Sequence, residues 1–264
     1  MHSRDTGTAL VTGASSGIGR ELARLHAARG GDLVLVARRA DRLEALAAEL
    51  QAAHGTRVLA IPLDLTAPGA IEELAKTLES HGLAVDVLVN NAGFGGGGAF
   101  DTRPAGLDAA MVRLNAEVPV ALCRRFLPAM RARGRGRVLN VASIVAFAPG
   151  PGMAVYAASK AFLLSFSEAL SEEMAGSGVT VTAFCPGLTA TEFHSAAGYV
   201  EDGRTIPGGH DARAVAEAGY AAMLGGRRIA FAETTTAVAS VVPRLLPRRL
   251  VAGLVSSMVR RRKT

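Results

Sequence analysis

Short apolar runs rich in valine and leucine alternate along the chain with longer segments whose apolar residues recur at helical spacing. The short runs predict β-strands over Thr8–Thr12, Leu33–Ala37, Val58–Pro62, Val87–Asn90, Arg137–Ala142, Val179–Cys185 and Ile229–Ala232. The longer segments predict helices over Arg20–Arg29, Ala40–His54, Ile71–His81, Leu107–Arg133 and Tyr156–Ala175. Strands buried on both faces read as continuous apolar runs, so this order predicts an α/β fold with a doubly wound parallel sheet of about seven strands.

Composition favours one folded domain followed by a basic extension. Of the 264 residues, 49% are hydrophobic and 20% are charged, which excludes fibrous and disordered proteins. No repeat or linker interrupts residues 1–239, so we predict a single domain there and a C-terminal extension over residues 240–264. The extension holds seven Lys and Arg residues and no acid, whereas the whole chain has a net charge of +6. The domain is therefore close to neutral, and a nucleic acid partner is not expected.

Within the extension, Pro247 is placed to begin a helix that carries an apolar stripe. The stripe consists of Leu250, Val251, Leu254, Val255 and Met258. Three interpretations remain open for residues 247–264: packing on the domain or a sister subunit, peripheral contact with a membrane, and a solvated basic end. The terminal cluster Arg260–Lys263 would suit anionic lipid.

The cysteines and histidines do not predict a metal site. Cys123 and Cys185 cannot form a CxxC motif, and the six histidines show no HExxH spacing. The N-terminal residues lead into an apolar segment too short for a signal peptide, and no run of about 18 apolar residues follows. These features are typical of a cytoplasmic protein with reduced thiols.

The first predicted strand ends in a glycine-rich turn, Thr12–Gly19, with the spacing Gly-x3-Gly-x-Gly. Glycines let the backbone turn tightly and approach a ligand, and the N–H groups at a helix start attract a pyrophosphate. A simple tight turn between strand and helix is the alternative. Its position after the first strand and at the start of a helix favours a dinucleotide site.

The end of the second predicted strand indicates which dinucleotide is bound. NAD sites usually place a carboxylate there for the ribose 2′-hydroxyl, but this chain has Ala37 followed by Arg38 and Arg39. Arginines suit a 2′-phosphate, so NADP(H) is favoured over NAD(H). The alternative is that both arginines belong to the solvated start of the next helix.

Tyr156 and Lys160 lie four positions apart and therefore share one face of a predicted helix. An ammonium beside a phenol stabilises the phenolate, which predicts that Tyr156 exchanges a proton near neutral pH. The chain has only 3 tyrosines and 3 lysines in 264 residues, so this spacing is not expected to arise by chance. An exposed helical pair without a function is therefore the less favoured interpretation.

Together these motifs resemble those of the short-chain dehydrogenase/reductase family, in order and spacing, up to about residue 232. Thr12–Gly19 matches the family's TGxxxGxG turn, Asn90–Gly93 its NNAG segment, Tyr156–Lys160 its YxxxK motif and Pro186-Gly187 the PG after the sixth strand. The resemblance implies a Rossmann-type fold. It also implies a catalytic tetrad of Asn115, Ser143, Tyr156 and Lys160.

In this family the tyrosine is the acid in reduction and the base in oxidation, and the lysine binds the nicotinamide ribose. Ser143 follows the fifth predicted strand, where its hydroxyl would hydrogen-bond the substrate oxygen. The resemblance gives Asn115 the maintenance of a water in the proton relay. A strand-end cap for Ser143 and an ordinary helical position for Asn115 are the alternatives.

The resemblance also implies cofactor contacts along the carboxyl ends of the strands. These contacts fall on Gly13, Ser15, Ser16, Gly17, Ile18, Gly19, Arg38, Arg39, Asp64, Leu65, Asn91, Ala92, Gly93, Tyr156, Lys160, Pro186, Gly187, Thr189 and Thr191. Asp64 corresponds to the acid beside the adenine ring, although a local turn or helix cap is the alternative. Thr189 and Thr191 correspond to threonines that contact the nicotinamide carboxamide and the pyrophosphate.

The residues expected to face the substrate are mostly apolar and frame a pocket. They are Phe94, Ser143, Val145, Met153, Tyr156 and Phe193, with His194 and Tyr199 beyond them. Gly95–Gly98 add little bulk to the wall of this pocket, which suggests a mobile or roomy wall. Residues 188–212 resemble the family's substrate lid.

We therefore expect an NADP(H)-dependent oxidoreductase that interconverts a carbonyl group and a secondary alcohol, acting on a mostly apolar substrate in the direction of reduction. The alternative is a cofactor-binding regulatory or scaffolding protein of the same fold without useful turnover. The helix after Tyr156 spreads apolar residues over more than one face, and similar family members use it between subunits. A homodimer or homotetramer is expected.

Overall fold

The computed structural model describes residues 6–104, 106–193 and 209–261. Its strands are β1 Thr8–Thr12, β2 Asp32–Ala37, β3 Val58–Pro62, β4 Val85–Asn90, β5 Gly136–Val141, β6 Val179–Phe184, β7 Thr189–Ala190, β8 His210–Asp211 and β9 Ile229–Ala230. Its α-helices are α1 Gly17–Ala27, α2 Ala40–His54, α3 Ala70–Ser80, α4 Leu107–Val112, α5 Val118–Ala132, α6 Ala154–Glu173, α7 Ala212–Leu224, α8 Thr234–Leu245 and α9 Arg248–Arg261. A π-helical turn covers Arg113–Glu117, and 3₁₀ turns cover Phe100–Thr102 and Ile144–Phe147.

One parallel sheet of seven strands organises the domain, in the order β3-β2-β1-β4-β5-β6-β9. The central strand β1 pairs with β2 on one side and with β4 on the other, so the direction of winding reverses at β1. Open parallel sheets bind ligands beyond the carboxyl ends of their strands at such a point. The predicted doubly wound fold is therefore confirmed.

Helices bury both faces of this sheet. In β1, Ala9 and Val11 belong to the core formed with α1, α2 and α7, whereas Leu10 belongs to the core formed with α3 and α5. All three side chains are fully buried. Burial on both sides explains why the strands read as continuous apolar runs.

Most predicted boundaries agree with the structure to within two residues, and those of β1, β3 and α2 agree fully. The first helix starts earlier than predicted, at Gly17 instead of Arg20. The extension also begins differently, because α8 crosses the boundary expected between residues 239 and 240. The last described helix, α9, begins directly after Pro247, as predicted. Within the described ranges, no helix has the length and apolar character needed to cross a bilayer.

The continuous helix predicted over Leu107–Arg133 is wrong, since the π-helical turn separates α4 from α5. Pro119 has no N–H to bond the carbonyl of Asn115, as a regular α-helix would require, and its ring would clash with that carbonyl. A wider turn relieves both problems. Asn115 lies in this widened turn.

A buried histidine, His26, joins α1 to α7. Its Nδ1 lies 2.9 Å from the hydroxyl of Tyr220, and its Nε2 lies 3.2 Å from the carbonyl oxygen of Gly7. Because a carbonyl only accepts, Nε2 carries the proton and Nδ1 accepts from the tyrosine. Burial is the largest cause of a lowered pKa for His26, so the neutral ring is the folded form.

We expect the free energy of unfolding to fall as the pH falls below about 6.5, the pKa of an unperturbed histidine. The reason is that the unfolded chain binds a proton at His26 before the folded chain does. Replacing His26→Gln should flatten this slope, measured by urea unfolding between about pH 5 and 7. The exposed His81→Gln variant is the control and should keep the slope. Equal slopes in both variants would contradict the assignment.

Candidate active site

The carboxyl ends of β1, β4, β5 and β6 meet at one edge of the sheet and bring the sequence motifs together. Gly13 follows β1, Asn91 follows β4, and Ser143 lies two residues beyond β5. The amide of Ile144 donates to the carbonyl of Pro186, 3.0 Å away, and so ties the segment after β5 to the segment after β6. The sheet thus places residues from four distant stretches of sequence around one site.

Two glycines of the β1–α1 turn have no room for a side chain. A Cβ on Gly19 would lie 2.3 Å from Nδ2 of Asn91 and 2.4 Å from the carbonyl oxygen of Gly13. Gly13 itself has a φ angle of +67°, and a Cβ there would lie 2.8 Å from Nδ2 of Asn91. The start of α1 is thereby held against the end of β4. The Ser16 hydroxyl does not cap α1, which leaves the helix start to a ligand.

Thr12 joins the glycine-rich turn to the segment after β4. Its hydroxyl donates to the carbonyl of Val89 and accepts from the amides of Asn91 and Ala92, each at 3.0 Å. The side-chain amide of Asn91 returns a hydrogen bond of 2.9 Å to the carbonyl of Thr12. The sequence pattern identified Thr12 only as the first residue of the glycine-rich motif. Its position at the end of a buried strand indicated that its hydroxyl would need hydrogen-bond partners nearby.

Asn115 is fully buried and binds backbone on the opposite side of the site. Its Nδ2 donates to the carbonyl of Phe94 at 2.9 Å, and its Oδ1 accepts from the amide of Phe94 at 3.1 Å. Nδ2 also donates to the hydroxyl of Ser159 at 3.1 Å, and that hydroxyl donates to the carbonyl of Tyr156. The asparagine therefore couples the widened turn to the wall of the site and to α6.

Lys160 is buried at the carboxyl end of β5. Its Nζ donates to the carbonyl of Val141 at 2.8 Å and lies 3.5 Å from the position of a Cβ on Gly93. Burial lowers the pKa of Lys160 to about 8, so the side chain still carries its charge at neutral pH. The neighbouring thiol of Cys185 is neutral, because burial raises its pKa to about 12.

Tyr156 lies one turn before Lys160 on α6, as predicted, and is largely buried. Its ring centroid lies 5.5 Å from that of Phe193, at an angle of 49°. Ser143 is also buried, and its Oγ accepts from the amide of Val145 at 3.4 Å at the start of a 3₁₀ turn. The strand-end cap considered for Ser143 is therefore present, at the carboxyl end of β5.

A buried chain of polar side chains, which sequence reasoning missed, anchors α6 to the sheet. Asn90 on β4 donates to Asn140 on β5 at 2.8 Å, and Asn140 donates to Ser167 on α6 at 2.8 Å. Ser167 in turn donates to the carbonyl of Leu163. Asparagines at strand positions between apolar neighbours were the only sequence signal for this chain.

The two arginines after β2 lie in different surroundings. The Arg39 guanidinium donates to the hydroxyls of Ser15 and Ser16, each at 3.0 Å, and lies at the glycine-rich turn. Arg38 is exposed and lies close enough to Asp64 to contribute to its lowered pKa. The larger causes of that shift are hydrogen bonds from Thr66, so the local turn considered for Asp64 is present.

Glu192 and Arg42 also lie beside Arg39, and the sequence patterns did not predict their role. Glu192 pairs with Arg39 at 2.9 Å and with Arg42 at 2.6 Å, and these arginines lower the pKa of its carboxyl. Thr191 lies against Gly17, where its Cγ2 is 3.0 Å from the position of a Cβ. The start of the lid segment, residues 188–212, therefore contacts the glycine-rich turn.

The lid segment is bridged at its base by β7 and β8, with Thr189 opposite His210 and Ala190 opposite Asp211. His194 and Tyr199 lie outside the described residues. On the facing wall, Arg103 donates to the carbonyl of Gly96 at 2.7 Å, and the amide of Gly98 donates to Gly152 at 2.9 Å. The glycine-rich wall is held by hydrogen bonds at two points.

Comparison with known proteins agrees with this geometry. A family model described as short chain dehydrogenase matches residues 7–199. An NADP-dependent 3-hydroxy acid dehydrogenase of Salmonella typhi is 38% identical over 192 residues, which cover 70% of this chain and 74% of that protein. A short chain dehydrogenase of Pseudocercospora fijiensis is 36% identical over 70% of this chain, but the match spans only 60% of that protein.

Among solved structures, a short-chain dehydrogenase from Sphingobium yanoikuyae in complex with NADPH superposes with a TM-score of 0.81 at 34% identity. The match covers 88% of this chain and 90% of that one. Solved relatives between 26% and 34% identical hold NADPH or NAD. This chain therefore shares its fold with proteins that bind nicotinamide dinucleotides of both kinds.

We expect Lys160→Met to stabilise the folded chain at pH 7 by about 1–3 kcal/mol, because it removes a buried charge. The folded pKa of Lys160, about 8, lies below the unfolded value. The wild-type free energy of unfolding should therefore rise between about pH 8 and 10.4, and the variant should lack this rise. Urea unfolding measures both effects.

Lys76→Met is the matched control, since Lys76 is exposed on α3. This variant should change neither the free energy of unfolding at neutral pH nor the rise in that free energy between about pH 8 and 10.4. A loss of stability in Lys160→Met would show that the hydrogen bond to Val141 outweighs the cost of burying the charge.

Proposed function

We propose that this chain, which belongs to the short chain dehydrogenase family, is an NADP(H)-dependent oxidoreductase that interconverts a carbonyl group and a secondary alcohol. The observation that carries the proposal is the buried cation of Lys160, one helical turn from Tyr156 at the carboxyl edge of the sheet. A buried charge is costly, and here it lies beside the one tyrosine of α6. Such pairs are concentrated at functional sites.

The residues present fit a dinucleotide. The space that a Cβ would fill at Gly13 and Gly19 is taken up by backbone and by Asn91, so the turn can present bare backbone to a pyrophosphate. The start of α1 faces the same place, and Thr191 lies beside it. When bound, NADP(H) supplies or accepts the hydride of the reaction.

Tyr156 exchanges the proton of the reaction. In reduction its Oη donates a proton to the substrate oxygen, and in oxidation it accepts one. The ammonium of Lys160 favours the phenolate that remains after donation. Ser143 donates a hydrogen bond to the same substrate oxygen, while Asn115 holds the backbone of Phe94 in place next to it.

Arg38 and Arg39 select the 2′-phosphate. Their two cations stand at the end of β2, where a carboxylate would favour NAD(H). Arg39 is held by Ser15 and Ser16, so its guanidinium is oriented before the cofactor arrives. Glu192 pairs with both Arg39 and Arg42 and reduces the positive charge there, a cost that a 2′-phosphate must overcome.

The substrate is a small to medium, mostly apolar carbonyl compound. Apolar surface around Tyr156 comes from Phe94, Val145, Met153 and Phe193. The segment Gly95–Gly98 adds little side-chain bulk to the wall of the pocket. The ring contact between Tyr156 and Phe193 supports this placement.

The active unit is a homodimer or homotetramer. Phe162 on α6 is 49% exposed, and its ring stacks on that of Phe166 with the centroids 6.2 Å apart. Phe166 is partly buried against the core, so the exposed ring is that of Phe162. An exposed aromatic ring on a helix that also carries the proposed catalytic groups favours contact with another copy.

Tyr156→Phe should lower kcat/KM for ketone reduction by about 10²–10⁴-fold, because it removes the proton donor and leaves the ring contacts. NADPH oxidation across a panel of apolar and polar ketones measures the effect. The control is Tyr220→Phe, which removes a buried hydroxyl on the far helix α7 and should keep activity. NADPH binding without any tyrosine-dependent turnover would favour a cofactor-binding regulatory or scaffolding protein.

The double change Arg38→Asp and Arg39→Ser should lower kcat/KM for NADPH by about 10–100-fold and leave that for NADH unchanged or higher, because charge-assisted bonds to the 2′-phosphate are lost. Steady-state kinetics with both cofactors measure the ratio. The control is Arg57→Ala, which removes an arginine that pairs with Asp32 at the other end of β2. A ratio insensitive to the double change would contradict NADP(H) selection by these arginines.

A further inference from the structure

The last two helices expose a concentration of large apolar side chains. Eleven such side chains are exposed among the described residues, and seven of them lie on or between α8 and α9. These seven are Val238, Val241, Val242, Leu245, Leu246, Leu250 and Leu254. Single exposed apolar residues are ordinary, but a contiguous group marks a surface that binds something.

Helix α8 is turned with its polar side inward. Thr236 and Ser240, one turn apart, are only 8% and 6% exposed, whereas Val238 and Leu245 are 62% and 78% exposed. An ordinary surface helix has the reverse arrangement, with its apolar stripe on the core. The inner face of α8 packs on the turn Ile144–Phe147, so the helix is held in this orientation by the domain.

The exposed residues of α8 follow helical spacing. Val238, Val241, Val242 and Leu245 occupy positions i, i+3, i+4 and i+7 and form one stripe. On α9, Val251 is buried while Leu250 and Leu254, one turn apart, are 58% and 50% exposed. Each helix is thus anchored on one side and presents an apolar stripe on the other.

The charge beside these stripes is of one sign. Arg248 and Arg249 are exposed at the start of α9 and, within the described ranges, form no ion pair. Residues 240–264 contain seven basic residues and no acid. An apolar stripe flanked by arginines matches the acyl boundary and the anionic headgroups of a lipid surface.

We propose that α8 and α9 form a docking surface for an anionic phospholipid bilayer. Binding is peripheral: the apolar stripes enter the headgroup boundary, and the arginines meet lipid phosphates. A second copy of the chain fits the charge less well, because a two-fold interface would bury basic residues from both copies, and residues 234–261 contain no acid to pair with them. The proposal does not depend on the catalytic activity.

The test is flotation of the full chain with vesicles of phosphatidylcholine, alone or with about 30 mol% phosphatidylglycerol, at low and high salt. We expect at least about tenfold more bound protein on the anionic vesicles, and less at high salt. The double variant Val241→Glu and Leu245→Glu should lose this binding while keeping its thermal unfolding midpoint and NADPH oxidation.

Leu224→Glu is the matched control, because Leu224 is an exposed leucine on α7, away from the docking surface. It should bind vesicles as the wild type does. The proposal is overturned if the wild type does not float, if it binds neutral and anionic vesicles equally, or if the α8 variant floats unchanged. It is likewise overturned if the α8 variant alters only oligomer size in gel filtration, which would assign the surface to a second copy.

Discussion

The candidate site depends on the position of α6 relative to the strands, since this helix carries both Tyr156 and Lys160. A buried chain of hydrogen bonds from Asn90 through Asn140 to Ser167 fixes the position of α6 along the strand direction. Asn90 and Asn140 are direct partners in the register of β4 and β5, so the chain also locks the two strands together. A buried amide left without a partner is costly, and a slip of α6 by one turn would separate the side-chain amide of Asn140 from Ser167.

The buried cation of Lys160 sets a second constraint, because the fold must hold it where burial alone disfavours it. Its hydrogen bond to Val141 offsets part of this cost, and the packing of α6 on β6 and on the turn after β5 supplies the rest. A buried charge kept at the expense of stability is what a functional role for Lys160 would require. The π-helical turn at Asn115 is a second local irregularity placed at the same site.

Sequence patterns predicted the sheet and the main motifs because both depend on short-range rules. Apolar runs located β1 and β3 fully, and the glycine spacing located the turn before α1. The break in Leu107–Arg133 was missed because Pro119 was not weighed against the apolar periodicity around it. The contacts of Glu192 with Arg39 and Arg42 join residues about 150 positions apart, and no local pattern encodes such a pair.

The orientation of α8 shows most clearly what periodicity leaves undetermined. The spacing of Val238, Val241, Val242 and Leu245 is typical of a core-facing helix stripe. The structure instead buries Thr236 and Ser240, because the surface beneath α8 is the narrow turn after Ser143 and the backbone of Gly187. Thr236 and Ser240 are small enough for that close approach, whereas leucine would not fit. The apolar stripe therefore faces outward as a consequence of close packing beside the candidate active site, and the proposed docking surface lies on the outer side of the helix that packs on this turn.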